Sequence, residues 1–145
     1  MRCQSNFKMA GWEEKTFSEH EIDAGPGHSG KLTKVSVKKT YTGELEGEGV
    51  LEYLMAYQTD GSAEYIGYER ITGRLKGLPG SFFLRHSGTY SHDQMVQTSV
   101  IVDGSGTGEL IGITGRAEIL AGHQKEYPFT LEYGMAMAEV PIWGS

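Results

Sequence analysis

Apolar and polar positions alternate along the chain in extended runs, and no stretch of ten residues carries a 3.6-residue period. The runs are rich in Val, Ile, Thr, Tyr and Phe, which fit a pleated, half-buried surface. They predict strands over 7–17, 32–41, 48–59, 62–75, 81–91, 94–102, 107–121 and 125–138. Between them stand turn signals: Thr42-Gly43, Asp60-Gly61, Leu78-Pro79-Gly80, His92-Asp93 and Asp103-Gly104-Ser105-Gly106. The stretch 23–30, Asp-Ala-Gly-Pro-Gly-His-Ser-Gly, reads as a loop. Eight antiparallel strands joined by tight turns fit an up-and-down barrel, which leaves no open edge. The expectation is a single all-β domain over 1–145, a calycin-like barrel with an interior pocket, with a sandwich as the alternative.

Register follows from the turns. A two-residue turn at Asp60-Gly61 sets Glu52 opposite Glu69 and Leu54 opposite Gly67. A connection over 76–81 sets Ile71 opposite His86, and a turn at His92-Asp93 sets Ser99 opposite His86. One face then carries Leu54, Ile71, Leu84, Tyr90, Ile101, Glu52, Glu69, His86, Gln97 and Ser99. The other carries Arg70, Arg74 and Arg85, which are costly to bury unpaired, so it faces water. The first face is inside and lines the expected pocket. The outer side of the hairpin would carry Tyr53, Met55, Tyr57, Ile66 and Tyr68. That is more apolar surface than a monomer usually exposes, so a partner subunit or the N-terminal segment is expected to cover it. A homo-oligomer is the first expectation.

Composition adds exclusions. Gly makes up 21 of the 145 residues without a G-X-Y period, which fits a turn-rich β protein and excludes a collagen-like one. A net charge of −6 argues against nucleic acid or an anionic membrane as a partner. Lys34, Lys38 and Lys39 form the one basic cluster and read as a solvated strand face. A single cysteine, Cys3, excludes an internal disulfide, and residues 1–12 hold no apolar signal segment. A cytoplasmic protein is expected.

From Phe7-x-Met9-x-Gly11-Trp12-Glu13-Glu14-Lys15 onward the chain resembles a family of small bacterial proteins of unknown function. The resemblance runs through Leu54-Met55-Ala56-Tyr57, Gly67-x-Glu69-Arg70 and Gly80-Ser81-Phe82-x-Leu84-x-His86-Ser87-Gly88. It ends with Gly104-Ser105-Gly106-Thr107-Gly108-Glu109-Leu110 and Thr130-Leu131-Glu132-Tyr133. It implies an allene-oxide-cyclase-like barrel and no assigned activity. The family often has Trp where this chain has Ser99, which would enlarge this pocket.

Candidate chemistry is sparse. Gly104-Ser105-Gly106-Thr107-Gly108 lacks the Lys-Ser/Thr and the helix of a phosphate loop. The histidines form neither His-x-His nor His-Glu-x-x-His, so no metal and no cofactor is expected. His20 and His28, near Glu19, Glu21 and Asp23, offer adventitious metal contacts at most. Cys3 is expected in a fraying terminus, and no nucleophile elbow accompanies any serine. Glu52, Glu69 and His86 remain as the catalytic candidates. Two opposed carboxylates would share a proton that an imidazole could exchange, as enolisation or ring closure requires. The same residues would also serve as a satisfied internal polar network. A small hydrophobic ligand is expected in either case, for a cofactor-free isomerase or cyclase or for a carrier or sensor.

Overall fold

The computed structural model describes residues 1–21 and 29–135. His28 and Asp23 lie outside the described residues. Eight strands run β1 (Arg2–Glu21), β2 (Ser29–Gly43), β3 (Leu45–Tyr57), β4 (Ala63–Leu75), β5 (Leu78–Ser91), β6 (Gln94–Ile101), β7 (Ile113–Ala121) and β8 (Tyr127–Met135). Each pairs antiparallel with the next, and β1 also pairs with β8, so the sheet closes into a barrel. The expected run over 107–121 is split by a short 3-10 helix, Gly108–Leu110, before β7 begins. No described helix is long and apolar enough to cross a membrane.

The turns decide which faces point inward. At β5–β6, His92 and Asp93 both take positive φ, and His86 pairs with Ser99 as the two-residue turn requires. At β4–β5 the turn is Lys76-Gly77, also at positive φ, rather than Leu78-Pro79-Gly80. Glu69 therefore faces Leu84 and Gly67 faces His86, an even shift of four residues that leaves every side chain on its expected side.

The β3–β4 connection differs in a way that matters. Asp60 Oδ1 accepts from the Ser62 backbone N–H (2.9 Å), and Gly61 N–H bonds the Gln58 carbonyl (3.1 Å). This widens the connection to residues 58–62, with Tyr57 opposite Ala63 and Glu52 opposite Tyr68. The odd shift turns β3 over. Glu52 and Leu54 point outward, with Leu54 50% exposed, whereas Leu51, Tyr53 and Met55 point inward. The outer apolar patch of this hairpin is thus Val50, Leu54, Ile66 and Tyr68, without Tyr53, Met55 or Tyr57.

Cys3 is also not in a frayed end. It is fully buried in β1 opposite Leu131, and burial raises its thiol pKa. The interior of one barrel end is packed with Leu45, Ile71, Leu75, Phe82, Leu84 and Ile101, and Leu110 of the 3-10 helix plugs it. A second apolar cluster, Val35, Val37, Leu51, Tyr53, Met55 and Tyr65, lines the β2–β4 wall toward the other end.

Candidate functional site

Between the two ends lies a layer of buried polar side chains centred on Glu69. Its Oε1 accepts from Lys39 Nζ (3.0 Å) and from His86 Nε2 (2.7 Å), and its Oε2 accepts from Tyr41 Oη (2.6 Å). All four residues are at most 2% exposed. Room for the carboxylate comes from Gly49 on β3, where a Cβ would collide with Glu69 Oε2. Burial alone would raise the Glu69 pKa, but the Lys39 ammonium, the His86 hydrogen bond and the Tyr41 hydroxyl hold it down at about 2.

An ionised Glu69 fixes the rest of the network. Nε2 of His86 must carry hydrogen, and in the neutral ring the single lone pair of Nδ1 accepts from Ser99 Oγ (2.6 Å) and is shared with the longer contact from Gln97 Nε2 (3.0 Å). Burial, aided by the nearby Lys39, holds the His86 pKa below its ordinary value despite the Glu69 bond, so the ring is neutral near pH 7. Gln97 Nε2 also donates to Ser99 Oγ (3.1 Å). Gln97 Oε1 accepts from Tyr53 (3.2 Å) and Tyr65 (3.0 Å), whose rings lie across Gly67 and Gly88. Burial raises the pKa of both phenols, which keeps them protonated as donors. Among the described residues no buried side-chain polar atom lacks a partner.

Above this layer, toward the β3–β4 and β5–β6 turns, is a cavity of about 760 Å³. Phe7, Met9, Met55, Tyr65, Met95 and Tyr127 form its apolar walls, and Lys39, Tyr53 and Gln97 bring the polar layer to its surface. The rim holds Trp12, Glu14, Tyr57, Tyr90 and His123. A register irregularity in β1 between Ala10 and Glu13, with Gly11 at positive φ, puts Trp12 and Glu14 there. Glu14 Oε2 accepts from Tyr57 (2.6 Å) and Thr33 (2.7 Å). Burial works against these bonds, yet they hold Glu14 below its ordinary value.

The structure brings Glu69, His86, Gln97 and Ser99 together, and it places Tyr90 and Gln97 on the cavity. Ile71, Leu84 and Ile101 are packed in the closed end, and Ser99 lies under His86, so none of the four is on the cavity surface. Glu52 is not part of the site: it accepts from Ser36 (3.3 Å) and pairs with Lys34 (3.5 Å) on the outside. The opposed pair of glutamates is thereby replaced by a carboxylate between a lysine, a histidine and a tyrosine. Lys39 and Tyr41 were legible in the two-residue alternation Val35-x-Val37-x-Lys39-x-Tyr41, which sets the lysine on the inward face rather than on a solvated one.

None of the curated proteins matches the chain. A crystal structure of a protein of unknown function from Shewanella oneidensis MR-1 superposes with a TM-score of 0.74 at 27% identity. The alignment covers 94% of this chain and 98% of that one. The model of the DUF3224 family, proteins of unknown function, matches residues 3–133, and the chain belongs to that family.

Proposed function

We propose that the barrel binds a small, largely apolar molecule at its cavity end and acts as a carrier or sensor of it. The observation that carries this reading is the cavity of about 760 Å³, a size that suits a drug-sized ligand. Its walls are aromatic and methionine side chains, which adapt to varied apolar shapes, and a few fixed polar groups stand at its floor. Carriage is favoured over turnover because Glu69 and His86 sit beneath the cavity surface with their hydrogen-bonding positions filled. Native mass spectrometry of protein purified from cells is expected to show a bound small molecule. Fluorescence of N-phenyl-1-naphthylamine is expected to rise on titration. The absence of both a bound mass and probe binding would overturn the reading.

A cofactor-free isomerase or cyclase is the second reading, and one observation favours it. Lys39 reaches the cavity surface and bonds Glu69, which His86 also bonds, so its ammonium could pass a proton to a ligand and take one back from it. Conversion of the co-purified molecule that slows about 10²–10⁴-fold in Glu69→Gln, with affinity retained, would decide for catalysis.

A further inference from the structure

Lys39 is an odd tenant for a barrel interior. A buried lysine–glutamate pair is usually no more stabilising than apolar residues of the same volume, so its presence at the cavity floor calls for another reason. Its ammonium has three donors, and among the described residues Glu69 is the one acceptor it bonds. The Phe7 ring, 4.3 Å from Nζ, covers another side as a cation–π contact. Glu69 does not depend on that one bond, because His86 Nε2 and Tyr41 Oη donate to it as well. Lys39 can therefore turn part of its hydrogen-bonding capacity to a ligand without leaving a buried carboxylate unpartnered. Beside it, Tyr53 and Tyr65 spend their hydrogens on Gln97, so the ammonium is the strongest donor at the floor.

We infer that the cavity selects small apolar acids and takes them head-first. The carboxylate, sulfonate or phenolate oxygen would bond Lys39 Nζ, and the apolar body would lie between Phe7, Met55, Met95 and Tyr127. The inference rests on the binding reading above and adds the chemical class of the ligand.

Two probes with one skeleton separate the two claims: 8-anilinonaphthalene-1-sulfonate, an anion, and N-phenyl-1-naphthylamine, which is neutral. Fluorescence titration of the full chain at pH 7 is expected to give the anion about tenfold tighter binding. Lys39→Met should abolish that preference while the neutral probe still binds. Because Lys39→Met leaves Glu69 without its cation, the double variant Lys39→Met, Glu69→Gln is measured beside it, and circular dichroism checks the fold of each. Lys38→Met, on the neighbouring outward position, should keep the preference. Equal binding of both probes by the unsubstituted protein, or a preference that survives loss of Lys39, overturns the acid selectivity and leaves the binding reading standing. Binding of neither probe overturns both.

Discussion

At the end of the barrel formed by the β2–β3 and β4–β5 turns, Leu45, Leu75, Phe82, Leu84 and Ile101 fill the interior and Leu110 closes it. At the other end Met55, Tyr57, Tyr65, Tyr90 and Met95 stand around a cavity of about 760 Å³. Both ends obey the same in-and-out alternation along the same strands, so pattern alone does not distinguish them. Side-chain chemistry does. The packed end is dominated by branched aliphatics and a phenylalanine that interdigitate, and its few polar side chains, such as Ser5 and Ser81, are spent on local hydrogen bonds at its edge. The cavity end uses tyrosines whose hydroxyls are tied down, Tyr57 to Glu14 and Tyr53 and Tyr65 to Gln97. A ring held at its tip cannot fold across the space in front of it. The hydrogen bonds therefore keep the walls apart where a purely apolar end would collapse.

The contrast breaks first on stability. Phe82 is fully buried in the packed end, and Phe82→Ala should cost about 3–5 kcal/mol of unfolding free energy. Met95 borders the cavity and is only partly buried, so Met95→Ala should cost about 1 kcal/mol. Urea unfolding of the two variants measures both. Equal costs would mean that the cavity end closes up in solution and that the difference between the ends is not real.

The polar layer sharpens the comparison because it divides the two ends. Glu69→Gln leaves Lys39 buried without its anion and should cost about 3 kcal/mol at neutral pH. The sign of the pH dependence follows from the same group. Glu69 ordinarily titrates near 4.5 and is held at about 2 in the fold, so its contribution is complete above 4.5 and is lost as pH falls toward 2. His86 works in the same direction, since a ring kept neutral by burial gives up stability as pH drops below its ordinary value of 6.5. Unfolding midpoints across pH 2–8 should therefore fall on acidification in the unsubstituted protein. In Glu69→Gln the loss between 4.5 and 2 should largely vanish while the His86 step persists. An unchanged acid limb in the variant would detach Glu69 from the network.

The strand count, the closed antiparallel barrel and the inward faces of β4, β5 and β6 were all legible in the alternation and the turn signals. They were legible because errors of even length do not move side chains between faces, as the Lys76-Gly77 turn demonstrates. The outward flip of β3 was not. Asp60-Gly61 names a turn but not its length, and the bond from Ser62 N–H to Asp60 Oδ1 widens it by a side-chain capping that sequence does not specify. That single odd step carried Glu52 and Leu54 out of the site and brought Tyr53 and Met55 in. Lys39 was missed for a different reason. A lysine within a basic cluster reads as solvated, and only its place in the Val35–Val37–Tyr41 alternation says otherwise.

A glycine on β3 tests how tightly the layer is built. Gly49 sits on β3 opposite Ile71, and a Cβ added there would run into the Glu69 carboxylate. That carboxylate is not the loose end of a flexible side chain, since Lys39, His86 and Tyr41 hold both of its oxygens. Gly49→Ala must therefore shift Glu69 or spread β3 from β4, with an overpacking cost of about 1–3 kcal/mol. The backbone itself adds little strain, because Gly49 is not at positive φ. The control is Gly49→Ala combined with Glu69→Ala. Removing the carboxylate vacates the space the methyl needs, so adding Gly49→Ala to Glu69→Ala should cost well under 1 kcal/mol. If the alanine costs the same with and without Glu69, then it is ordinary β3–β4 crowding that Gly49 relieves, and the glycine was not the room made for the carboxylate.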